Sequence, residues 1–166
     1  MLEAAIHAAS ELGDASDAAR MHALARLDTP RAAEALCAAL VPLGADKRAE
    51  DFPLVLGRCL GGMTQMPPAR LAVMLQNDNW RARQAALAAL SVQHAAESIP
   101  HALQALTDPQ PQVRAIAAEL LGLAQATAAR PALTAALADP YPTVRAAAAT
   151  ALDALPDQTL PAEENQ

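Results

Sequence analysis

The chain has 166 residues, of which 53% are hydrophobic but only 2% aromatic, and its formal net charge is −6. Alanine and leucine must therefore fill the interior, which favours helices over a β-sandwich. An acidic chain with only 12 lysines and arginines lacks the clustered cations that grip nucleic-acid phosphates. No apolar run approaches the roughly 18 residues of a membrane span. We therefore predict a cytoplasmic protein that binds neither nucleic acid nor membrane.

The first predicted repeat covers residues 1–27. Leu2 and Ile6 lie on one face of a first helix, which Gly13 can end, and a second helix starts at Asp14. The N-terminal segment carries an acidic residue and no basic region, so it does not read as a signal peptide. Because the chain begins in phase with a repeat, we expect a complete small protein.

The second repeat, residues 30–61, departs from the pattern of the others. A helix over 30–41 is followed by ADKRAED, the densest charge cluster of the chain. Pro53 would interrupt a helix begun at Asp46, because proline lacks the N–H that an interior helical position needs. We therefore predict a longer loop over 42–51.

A short second helix of this repeat runs from about Pro53 to Leu60, and the pair Gly61-Gly62 ends it. The helix also contains Gly57, and a short helix has few apolar side chains to bury. We expect residues 42–66 to open at lower free energy than the rest of the molecule.

Three further repeats, over 68–91, 95–123 and 127–155, share one pattern. It reads NDNWRARQAALAAL, DPQPQVRAIAAELL and DPYPTVRAAAATAL, and each copy starts 31 residues after the last. A fixed period between 20 and 50 residues indicates a repeat architecture. Residues 156–166 contain two prolines and three acidic residues, and we predict a disordered tail there.

Each of these repeats has the composition of a helix pair. Asp108 can accept hydrogen bonds from the free N–H groups of a helix start, and Pro109 suits the first helical position. Val113, Ile116 and Leu120 then recur at helical spacing. Two helices cannot bury both of their apolar stripes alone, whereas stacked repeats can.

The segments DPxPxVRxxAA at 108–118 and 139–149 resemble the HEAT repeat, in particular the bacterial HEAT-like repeats also found in bilin lyases. The resemblance implies an all-α, right-handed α-solenoid of about five helix pairs. The first helix of each pair would line the convex face and the second the concave face. The resemblance also implies that an Asp and an Arg, six residues apart, link neighbouring repeats. The matching residues are Asp108 with Arg114, Asp139 with Arg145, and Asn77 with Arg83.

No catalytic or metal-binding pattern accompanies the repeats. His94 and His101 are seven residues apart, and we interpret them as solvated surface residues. Cys37 and Cys59 lack metal-ligand spacing, so we expect packed, reduced thiols. The chain contains no HExxH, no glycine-rich phosphate loop and no GxSxG. We therefore predict no enzyme activity, no cofactor and no metal.

Candidate binding residues lie on the second helices of the repeats. Trp80 and Tyr141, at the starts of such helices, are either anchors for a partner or covers for the preceding helix pair, and the sequence favours neither. Other candidates occupy the predicted concave face. The full set is Trp80, Arg81, Gln84, Gln112, Glu119, Tyr141 and Thr143.

The favoured function is that of a non-catalytic interaction module or assembly factor, with another protein on its concave face. The alternative is an accessory subunit of a bilin-lyase-like enzyme that attaches a cofactor, because bilin lyases share this repeat. A third hypothesis is nucleic-acid binding, as in the HEAT-like alkylpurine DNA glycosylases. That function needs a basic groove, and the net charge of −6 argues against it.

Overall fold

A computed structural model describes residues 17–38, 52–63, 68–93 and 95–156. Every regular element in these residues is helical, with nine α-helices and a short 3-10 turn at Thr127–Ala129, and the prediction of an all-α fold is confirmed. The α-helices are α1 (Asp17–Leu27), α2 (Pro30–Ala38), α3 (Phe52–Gly61), α4 (Pro68–Met74), α5 (Trp80–Gln93), α6 (Ala95–Ala105), α7 (Pro111–Leu123), α8 (Arg130–Ala136) and α9 (Pro142–Ala154).

The second helices of the repeats stack on one another. Helix α1 packs on α3, α3 on α5, α5 on α7 and α7 on α9, so these five form one continuous row. The helices α2, α4, α6 and α8 each pack on the row helix that follows them in the chain. This arrangement is a HEAT-like α-solenoid. The first helix of repeat one, the loop over 42–51 and the tail beyond Pro156 lie outside the described residues.

The second helices of repeats four and five begin two residues later than the sequence predicts. Helix α7 has Pro111, not Pro109, at its first position, and no side chain caps its N-terminus. The Asp108 carboxylate instead accepts a hydrogen bond from the backbone N–H of Gln110, at 2.8 Å, within the turn. Helix α9 repeats this arrangement 31 residues later. The expected helix cap is therefore wrong, and the carboxylate remains available to an arginine of another repeat.

The arginines of repeats three and four each clamp the aspartate of the following repeat. Nε and Nη2 of Arg83 donate to the two carboxylate oxygens of Asp108, each at 2.7 Å. Arg114 holds Asp139 in the same way, at 2.7 and 3.0 Å. This hydrogen bond raises the pKa of Arg114 and lowers that of Asp139. The link between repeats that the resemblance implied is present, with the Arg and the Asp drawn from consecutive repeats.

The hydrophobic core has two parts that meet at α5. One lies among α1 to α5 and the other among α5 to α9. Helix α5 supplies mostly alanines to this junction, and small side chains let the leucines of neighbouring helices approach closely. The largest fully buried side chains include Leu56, Leu60, Leu71, Leu87, Val113 and Leu121.

Glycines bring two pairs of row helices into backbone contact. A Cβ atom added to Gly57 of α3 would lie 2.6 Å from Cβ of Ala88 and 2.7 Å from the carbonyl oxygen of Ala85, both on α5. A Cβ on Gly122 of α7 would lie 2.7 Å from Cα of Ala151 on α9. Neither position has room for a side chain, so the glycines are what permits the close approach.

The contact between α5 and α7 lacks such a pair. Ser91 and Leu120 lie 31 residues before Gly122 and Ala151, and therefore occupy the matching positions. Both side chains are larger than those of the Gly122–Ala151 pair, and the contact between α5 and α7 is less extensive than that between α7 and α9. Opening of residues 42–66 at lower free energy stays a prediction. Residues 56, 57 and 59–61 within this span are buried, and Leu56, Cys59 and Leu60 belong to one core cluster with alanines of α5.

Candidate protein-binding face

One exposed stripe crosses the row helices, and we call it the row face. On α7 it consists of Gln112, Glu119 and Leu123, whose spacing places them on one side of a helix. On α9 it continues with Thr143 and Thr150, each 31 residues after its counterpart on α7. Helix α5 adds Arg81 and Val92 at the matching positions. Predicted candidates from three different repeats thus share one surface.

Trp80 lies at the edge of this surface. Its indole is half-buried and packs against the second part of the core. The guanidinium carbon of Arg81 sits over the ring, 4.6 Å from its centroid, in cation–π contact. The structure therefore gives Trp80 a packing role, and the exposed polar edge of this pair belongs to Arg81.

Gln84 does not reach the row face, and the expectation that it projects toward solvent is wrong. Only 7% of the residue is exposed, and Oε1 accepts no hydrogen bond from any described residue. The physical reason is that α5 is surrounded, since α3, α4, α6 and α7 all pack on it. The matching positions on α7 and α9, Ala115 and Ala146, are more open because fewer helices surround them.

Tyr141, the other aromatic candidate, is exposed, with 50% of its surface accessible. It precedes α9, and its ring centroid lies 5.6 Å from the guanidinium carbon of Arg114. That guanidinium is already held by Asp139. The ring therefore covers an ion pair between repeats while keeping one face toward solvent.

Two exposed apolar residues were missed by the sequence analysis. Val92 is 56% exposed and Leu123 is 81% exposed, and both lie at the ends of their helices on the row face. The signal was present, because the two residues are 31 positions apart and lie outside the buried stripe. Large apolar side chains left in water at the same place in two repeats are typical of a contact surface.

A cleft of about 500 Å³ opens between repeats three and four, beside the ion pair of Arg83 and Asp108. Residues of α5, α6 and α7 line it, and its walls mix polar and apolar side chains. They include Leu75, Asp78, Leu87, His101, Gln104 and Val113. His101 thus lines a cleft, whereas His94 is outside the described residues.

In the described residues the metal-ligating side chains are dispersed and the described thiol is buried. No group of three His, Cys, Asp or Glu side chains among them is close enough to bind a metal ion. The thiol of Cys59 is buried, and loss of solvation raises its pKa, which disfavours the reactive thiolate. The Cys37 side chain lies outside the part of the chain that is described. No helix in the described ranges has the length and hydrophobicity to cross a membrane.

Comparison with known proteins agrees with the geometry. Residues 99–162 match the family model for HEAT repeats. The described part of this stretch contains most of repeats four and five, with the Arg114–Asp139 clamp and the most regular part of the row face. No curated protein matches the chain. The match confirms the resemblance to HEAT repeats that the motif DPxPxVRxxAA indicated.

Proposed function

We propose that the chain is a non-catalytic interaction module and that the row face holds another protein. The match of residues 99–162 to HEAT repeats supports this proposal, because HEAT repeats generally serve as scaffolds for protein interactions. The observation that carries the proposal is the exposure of Leu123 within a polar stripe. An apolar anchor ringed by polar side chains is the usual composition of a protein contact.

The charges of the row face favour a protein over nucleic acid. Gln112, Thr143 and Thr150 are neutral, and the acidic Glu119 offsets the charge of Arg81, so the row face has no cluster of cations. Arg83 and Arg114, which lie in the same helix row, are committed to aspartates of neighbouring repeats. A nucleic-acid surface would need unpaired cations at such positions.

The test is capture of a partner from native extract with matched variants. Leu123→Glu places a charge on the row face, where we expect at least a tenfold loss of captured partner, about the effect of removing one strong anchor. Ala135→Glu places the same charge on the exposed side of α8 and serves as the control, and it should capture as much as the native protein.

The melting temperatures of both variants should stay close to that of the native protein, because both positions are exposed. Equal capture by Leu123→Glu and the native protein, with Ala135→Glu also unchanged, would contradict the role of the row face. Loss of capture only in Ala135→Glu would place the contact on the other side of the solenoid.

A further inference from the structure

Three arginines of the row share one pose. Nη1 of each donates to two backbone carbonyls of the turn before its own helix. The acceptors are Asn77 and Asp78 for Arg83, Asp108 and Pro109 for Arg114, and Asp139 and Pro140 for Arg145. Arg83 and Arg114 use Nε and Nη2 to clamp a carboxylate. Arg145 is held in the same way, yet in the described residues no carboxylate meets its Nε and Nη2.

The helix that carries Arg145 also presents an uncovered face, which we call the end face. It consists of Arg145, Ala146, Ala149, Leu152 and Asp153 on α9. The matching residues of α7 are those that face α9, and Ala118 and Gly122 among them are buried. Their counterparts Ala149 and Asp153 are exposed, because no helix of the described residues lies against this side of α9.

The end face is less polar at its centre than the outer face of a typical capping repeat. A terminal repeat normally carries a polar outer face. Here the centre is formed by two exposed alanines with half-buried Leu152 beside them, and the charges stand at the two ends of the helix. Small side chains at the centre permit close helix contact, as Gly122 and Ala151 show between α7 and α9.

The two charges make this face complementary to itself. Arg145 places its guanidinium beside the carbonyls that precede α9, whereas Asp153 lies in the last turn of the 13-residue helix. At about 1.5 Å per residue the two Cα atoms lie about 12 Å apart along the axis, and the guanidinium extends further toward the N-terminus of the helix. In an antiparallel copy, rotated about an axis near Ala146 and Ala149, each guanidinium meets the other Asp153 carboxylate.

The helix dipole favours the same arrangement. Arg145 lies in the first turn of α9, where a cation is unfavourable, and Asp153 lies in the last turn, where an anion is unfavourable. An antiparallel partner places an anion at the first end and a cation at the second. We propose that the end face is a twofold interface between two copies of this chain, with reciprocal contacts between Arg145 and Asp153. The proposal does not rest on the row face, which lies on another side of α9.

The test is sedimentation velocity of the full chain over a concentration series. The native protein should form a dimer. Asp153→Arg leaves both end-face charges positive, and Arg145→Glu leaves both negative. Each variant alone should raise the dimer dissociation constant at least about tenfold, because like charges then oppose each other. Arg31→Glu reverses an exposed charge on α2 and should leave the dimer unchanged.

Mixing the two variants tests the contact between Arg145 and Asp153 even if Arg145→Glu is less stable. One carries two acidic and the other two basic groups on this face, so an equimolar mixture should recover the dimer. The proposal is overturned if the native chain stays monomeric at every concentration. It is equally overturned if Asp153→Arg dimerises like the native protein, or if the mixture fails to associate while both variants keep the native circular dichroism spectrum.

Discussion

At the scale of single residues, the paired arginines and aspartates decide how one repeat meets the next. Each carboxylate accepts two hydrogen bonds from a guanidinium that is itself held by backbone carbonyls. The arginine side chain is therefore already ordered, and forming the ion pair costs it little further conformational entropy. The pair of Arg114 and Asp139 is about nine-tenths buried, with side-chain exposures of 12% and 10%. Such a bidentate, largely buried pair costs more to break than an ordinary surface ion pair.

Asp139 should therefore make stability depend on pH. Its pKa is lowered from the ordinary value of 3.8, first because Arg114 hydrogen-bonds the charged form. A lowered pKa means that the contribution is complete above 3.8 and is lost as pH falls through the lower, folded value. We expect Asp139→Asn to lower the unfolding free energy by about 1 to 3 kcal/mol at neutral pH.

Urea unfolding of Asp139→Asn and the native protein from pH 7 down to pH 2 measures this difference. The difference should shrink only at the acidic end, once the native carboxyl is also protonated. A difference that is the same at pH 7 and at pH 2 would show that the charge of Asp139 contributes nothing.

Gln84 offers a second test at this scale. Its Oε1 is buried and finds no hydrogen-bond donor in the described part of the chain, which costs free energy in the folded state. Gln84→Met keeps the length of the side chain and removes the polar atoms. We expect the melting temperature to rise, by an amount that corresponds to about 1 kcal/mol. Partner capture should be unchanged, because Gln84 is not on the row face. A large fall in melting temperature would indicate a hydrogen-bonding role for Gln84.

At the scale of helices, the spacing within the row is set by the residue at each crossing. Glycine at the α3–α5 and α7–α9 crossings allows backbone contact, whereas the matching positions between α5 and α7 are Ser91 and Leu120. The contact between α5 and α7 is the less extensive one, and a cleft of about 500 Å³ opens between repeats three and four. The row therefore contains two closely packed helix pairs with a less extensive contact between them.

Gly57→Ala tests this account. The new Cβ would lie 2.6 Å from Cβ of Ala88 and 2.7 Å from the carbonyl oxygen of Ala85, so α3 must shift away from α5. Overpacking of this kind typically costs about 1 to 3 kcal/mol, which outweighs the gain in helix propensity. Chemical denaturation should show the loss.

Gly62→Ala is the matched control. A Cβ there would meet nothing closer than 3.5 Å, the distance to the carbonyl oxygen of Arg58. Its stability should stay within about 0.5 kcal/mol of the native value. If Gly57→Ala is as stable as Gly62→Ala, α3 and α5 do not approach as closely as described.

At the scale of the whole molecule, the 31-residue period predicted most of the fold and only part of the site. It placed the helix pairs and identified the Arg and Asp that join repeats, because both follow from local pattern and register. It did not reveal that Gln84 is buried, since register says which residues are equivalent but not how many helices surround each one. The sequence also did not indicate that Gly57 permits close packing, because that role depends on the residues of α5 that lie against it.

The central claim, that this is a protein-binding solenoid with its contact on the row face, is tested most directly by site-specific photo-crosslinking in native extract. A photoreactive amino acid is placed at Glu119 on the row face, and in a second variant at Thr134 on the exposed side of α8. The account predicts a discrete crosslinked protein from position 119 and none from position 134. Crosslinks from position 134 alone, or none from position 119 while the native protein still captures a partner, would contradict it.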